Sequence, residues 1–114
     1  VPVVRNATTA RVVATHVDVL SGFVARAVGL LGRTTLEPDE GAWIAPCNAI
    51  HTIGMRVPID VVFVDARGRV LRLETGVRPN RAALVCRGAR AVVELGCGAG
   101  RAGELAVGDY LELS

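Results

Sequence analysis

The chain has 114 residues, 51% of them hydrophobic and 21% charged, and its 13 basic residues against 11 carboxylates leave a net charge of +2. That balance belongs to one soluble globular domain over residues 1–114, and no apolar run reaches the ~18–20 residues of a membrane-spanning helix. The composition equally excludes a disordered tail, a collagen-like repeat and a coiled coil.

In chain order, residues Ala10 to Leu20 carry the β-branched series Val12, Val13, Thr15, Val17 and Val19, which predicts a strand. Ser21 can cap a short helix through Leu31, with Phe23, Val24, Val28, Leu30 and Leu31 at helical spacing and Gly32 near its end. Leu36 to Gly41 reads as a loop, and Ala42 to Ala45 as a short strand stopped by Pro46. Asp60 to Asp65 and Val70 to Glu74 flank the glycine-bearing turn Ala66 to Arg69, which predicts a β-hairpin. Ala83 to Cys86 and Ala89 to Leu95 predict two more strands, joined across Arg87 and Gly88. Gly96 to Gly103 holds four glycines, so a turn with at most a brief helical turn is expected there. Tyr110 to Leu113 closes the chain as a strand. These elements predict an α+β domain, mostly β: a strongly curved or barrel-like, mostly antiparallel sheet with one helix covering one end.

All 13 basic residues are arginine, scattered from Arg5 to Arg101 with acids among them, and the aromatics are Phe23, Trp43, Phe63 and Tyr110. No basic stripe is interleaved with aromatic rings, so nucleic acid is not an expected partner. Cys47, Cys86 and Cys97 are an odd number of thiols spread over the chain, which fits a reducing, cytoplasmic setting better than a disulfide scaffold. The sequence begins at Val1 with no basic–apolar–small signal pattern, although a start without methionine leaves room for an upstream leader.

The densest chemistry lies in Cys47 to Met55. Cys47, His51 and Met55 are four residues apart, so neighbouring pairs share a face whether the segment is extended or helical. Thiolate, imidazole and thioether are soft metal ligands, and a thiolate–imidazole pair serves cysteine hydrolases. On a strand, however, positions four apart stand about 13 Å from one another, too far to grip one ion without a sharp bend. The simpler alternative is that these are core side chains. Asp60 opens an apolar strand, where a carboxylate must find donors or water; it either fastens a turn through backbone N–H groups or pairs with an arginine such as Arg56. No metal, no cofactor and no catalytic set is predicted, and Cys47, His51, Met55 and Asp60 stand as candidate ligand-binding residues.

The run from Ile50, His51 and Thr52 through Met55, Pro58, Ile59, Asp60, Phe63 and Asp65 to Gly68 resembles the bacterial and archaeal family known as domain of unknown function 192. The resemblance extends to Arg26–Arg33 and, behind the motif, to Ala91–Leu95 and Val107–Asp109. Much of the family carries an aromatic–Trp–Met–Lys–Asn segment where this chain has Ile50 to Met55, which looks like a branch with Cys and His. The resemblance implies a small β-rich domain and no established activity. The function expected is therefore a non-catalytic binding or accessory module for a small ligand or a protein partner. Two alternatives stay open: a thiol- or metal-dependent enzyme centred on Cys47 and His51, and a structural domain that homodimerises through strand edges. The segment from His51 to Asp60 is expected to border whatever functional surface exists.

Overall fold

The computed structural model describes residues 2–21, 36–81 and 83–114. Its strands are β1 (Val4–Asn6), β2 (Arg11–Ala14), β3 (His16–Leu20), β4 (Glu40–Ile44), β5 (Ala49–Ile50), β6 (Ile59–Val64), β7 (Val70–Val77), β8 (Leu84–Val85), β9 (Ala91–Gly96) and β10 (Leu111–Leu113), with a short helix α1 (Ala99–Ala102). A mostly-β, α+β domain is what the sequence predicts. The helix expected over Ser21–Leu31 lies, past Ser21, outside the described residues. No helix among the described residues is long and apolar enough to cross a membrane.

The described strands form a five-stranded sheet in the order β3-β4-β9-β6-β7, a three-stranded sheet β10-β1-β2 and a two-stranded ribbon β5-β8, and they do not close into a barrel. Pairing is antiparallel except between β3 and β4. The central strands β6 and β9 are buried at every position, which is why their sequences read as near-continuous apolar runs instead of alternating ones. One face of the large sheet carries Val62, Val64, Val93 and Leu95 against Val4, Val13 and Leu111 of the small sheet. The other carries Val61, Phe63 and Val92 against Cys47, Met55 and Leu84. Each of these fully buried aliphatic or aromatic side chains contributes about 1.5–3 kcal/mol.

The β6–β7 hairpin forms as predicted. Asp65 Oδ1 accepts the N–H groups of Arg67 (2.8 Å) and Arg69 (3.0 Å), which fixes the turn between the strands. Those two bonds hold the Asp65 carboxyl below its ordinary pKa.

One expectation is corrected. The stretch Ala10 to Leu20 is two strands in two different sheets, because Thr15 and His16 both donate their N–H to Asp39 O (2.9 and 3.0 Å) and the ladder breaks there. The strands at 83–86 and 89–95 do not pair with each other. β8 pairs β5 (Val85 with Ala49), whereas β9 inserts between β4 and β6. The turn between them is nonetheless real: Ala89 N–H donates to Cys86 O at 3.2 Å.

Candidate functional site

Asp60 is the second residue of β6, directly after Pro58 and Ile59, and its side chain shares the face of Val62 and Val64. It is fully buried. Its Oδ1 accepts the N–H of Gly76 (2.9 Å), and its Oδ2 accepts those of Gly98 (3.1 Å) and Gly100 (2.9 Å). Of the two roles the sequence left open, Asp60 therefore takes the backbone-anchoring one, and its bonds do not go to Arg56. One carboxylate thus gathers the end of β7 and the start of α1 onto the mouth of β6. A carboxylate under three N–H donors is fully compensated for its burial. The donors are glycines for a reason: Gly76 (φ 60°) and Gly98 (φ 97°) occupy left-handed backbone conformations that aim their N–H inward, which a residue with a Cβ adopts only under strain.

Beside this node lies a cleft of about 450 Å³. Leu73 and Leu105 give it an apolar wall, while Thr75, Cys97 and Arg101 supply a hydroxyl, a thiol and a guanidinium. Thr75, Cys97 and Arg101 are exposed, and Arg101 makes no ion pair among the described residues.

The other three candidates are elsewhere. Cys47 is buried, packs in the same core cluster as Met55 and donates its thiol to Ala49 O at 3.1 Å. His51 is exposed, and its Nδ1 accepts the N–H of Ile53 at 3.2 Å. The segment is extended over Ala49–Ile50 and then turns, with Met55 N–H donating to Thr52 O at 3.0 Å. The hollow of about 340 Å³ beside Cys47 is lined by Pro46, Asn48, Ala89 and Arg90, not by His51. The structure thus brings Cys47 and Met55 together in the core and leaves His51 outside. Asp60 sits on the opposite face of the sheet. No group of three His, Cys, Asp or Glu side chains suited to a metal ion occurs among the described residues.

Two polar residues that organise this region were not singled out from the sequence. Thr52 is buried; its Oγ1 donates to Arg78 O (2.8 Å) and accepts Arg81 N–H (2.7 Å), holding the loop after β7. Glu94 lies in the buried strand β9, opposite Ala42 and Val61, and its side chain makes no hydrogen bond or ion pair among the described residues. Burial pushes its pKa up to about 7. For Glu94 the signal was available in the sequence: a carboxylate inside an apolar strand demands an explanation wherever it occurs.

Two solved structures share this fold. A protein of unknown function from Novosphingobium aromaticivorans DSM 12444 superposes with a TM-score of 0.84 at 25% identity, over 98% of this chain and 84% of that one. A protein from Sinorhizobium meliloti 1021 described as a putative transcription regulator superposes with a TM-score of 0.81 at 22% identity, over 97% and 90% of the two chains. No curated protein matches this chain by sequence. The family model described as "Uncharacterized ACR" matches residues 4–113, nearly the whole length, and with the Asp60 motif in the middle of that match the chain belongs to the domain of unknown function 192 family.

Proposed function

We propose that this chain is a non-catalytic binding module, and that its ligand is a small molecule seated in the cleft beside Asp60. The observation that carries this reading is the glycine node: three N–H groups from two distant segments are fixed on one buried carboxylate. A cleft wall built this way is rigid before any ligand arrives, so little ordering remains to oppose binding. The same bonds argue against catalysis. Both Asp60 oxygens are engaged by backbone donors, which suits a positioning group better than a general base. The volume of about 450 Å³ lies within the range of small-molecule sites, and an apolar wall with a few polar groups is their usual lining. Cys47 and His51 offer the rival enzyme reading no comparable support, since one is buried and the other exposed on separate surfaces.

Screening a fragment library by amide NMR tests the assignment. Binders should shift the Gly76, Gly98 and Gly100 resonances together, and Thr75→Trp, which fills the cleft without removing any of the three hydrogen bonds, should abolish those shifts. Fragments that bind with these glycines unmoved, or that bind the Trp variant equally well, would overturn it.

A further inference from the structure

A second hollow lies at the other end of β6. Asp60 lies near the start of that strand and Asp65 just past its end, and five residues of extended chain put them about 17 Å apart. The hollow has a volume of about 300 Å³ and lies between β4, the β6–β7 turn and the last strand, β10. Its lining includes the apolar Trp43, Leu111 and Leu113 and the charged Asp65, Arg67 and Arg90. We propose that it is a binding site for a single flat ring bearing a phosphate or carboxylate group.

The ring is argued from Trp43. Trp43 is half-buried, packs against the core and lines the hollow together with Leu111 and Leu113, so an aromatic side chain is at hand for a flat ring. Aromatic pairs favour offset or edge-to-face contact beyond the area they bury. The volume limits the guest to about one ring and its substituent, since it stands at the lower bound of small-molecule sites.

The oxyanion is argued from the two guanidiniums. Arg11 and Arg72 are paired with Glu104 and Glu74, whereas Arg67 and Arg90 make no ion pair and no side-chain hydrogen bond among the described residues. Both are exposed, yet their backbones are pinned: Arg67 N–H donates to Asp65 Oδ1 at 2.8 Å, and Arg90 N–H to Val64 O at 2.8 Å. Two arginines lining one hollow supply the planar donors that suit the oxygens of a carboxylate or phosphate. Asp65 is the opposing charge. Its Oδ1 accepts two backbone N–H groups of the hairpin turn, and Arg67 and Arg69 both attract its charge, so Arg90 brings the hollow's further positive charge.

Trp43 is the one tryptophan of the chain, so its fluorescence reports on this hollow alone. The intact protein is titrated with phenyl phosphate, benzoate, benzamide and inorganic phosphate. A saturable change is expected with phenyl phosphate, benzoate or both, at concentrations about tenfold lower than for the neutral amide or the ringless anion. The two aromatic anions distinguish which headgroup is preferred. Arg67→Gln with Arg90→Gln should weaken that binding about tenfold at an unchanged melting temperature, because both side chains are solvent-exposed. Trp43→Phe should remove the optical signal while calorimetry still detects the anion. No saturable change with either aromatic anion overturns the proposal, as does benzamide or inorganic phosphate binding equally well. Binding indifferent to the two arginines overturns it too. Each of these outcomes leaves the Asp60 cleft untouched, since no residue is shared between the two hollows.

Discussion

Asp60 and Glu94 stand almost side by side on neighbouring strands, Asp60 opposite Leu95 and Glu94 opposite Val61. That offset of one residue sends them to opposite faces of the same sheet. Both are buried carboxylates, yet Asp60 has three N–H donors and Glu94 has no partner among the described residues. The difference teaches that burial by itself does not decide what a carboxylate does in a fold. What counts is whether the fold supplies donors, and here it does so on one face and not on the other. Asp60 is accordingly a structural clamp, and Glu94 is an acid held near its titration point.

The contrast can be broken by substitution. Asp60→Asn keeps the shape but replaces one acceptor oxygen with an NH₂ group that faces N–H donors. It should destabilise the chain by about 3 kcal/mol or more, read as a large fall in the thermal midpoint, and should collapse the amide protection of Gly98 and Gly100. A loss under about 1 kcal/mol would show that the clamp is dispensable.

The pH dependence of stability sharpens the other half. Glu94 ionises near 4.5 when unfolded and near 7 when folded. Between those values the folded chain holds the extra proton, so this group's contribution is fully present below about 4.5 and is lost as pH rises through 7. The amount is on the order of 3 kcal/mol. Asp65 does not blur that window, because its lowered pKa makes its own contribution disappear only as pH falls below the ordinary carboxylate range. Denaturant melts from pH 4.5 to 8 should slope downward for the natural chain and flatten for Glu94→Gln. Equal slopes would mean that Glu94 is solvated or paired.

A smaller effect is expected at Thr52. Thr52→Val strands the Arg78 carbonyl and the Arg81 N–H and should cost about 1–2 kcal/mol in the same melts. His51→Ala, at an exposed side chain, should change stability by less than about 0.5 kcal/mol. A larger loss there would restore a structural role to the histidine.

What the sequence could and could not say follows the same division between local and distant contacts. The β6–β7 hairpin was legible because two apolar runs, a turn glycine and a turn aspartate all lie within one stretch from Asp60 to Glu74. That Asp60 needs donors was legible too, but not their identity, since Gly76, Gly98 and Gly100 are 16, 38 and 40 residues away. The strands around Arg87 and Gly88 look locally like a hairpin. They part because each finds a better partner far along the chain. Cys47, His51 and Met55 were placed on a common face by assuming a regular period, and the tight turn from Thr52 to Met55 breaks it.

The small sheet holds a consequence for how the molecule comes into being. β1 lies between β2 and β10, so Val4 pairs both with Ala14, close in sequence, and with Leu113, at the far end. During synthesis from the amino end, β1 can find β2 at once, but its other edge stays bare until β10 has been made. The layer therefore closes only after a strand distant in sequence arrives. Losing residues 111–113 would leave an open edge on β1.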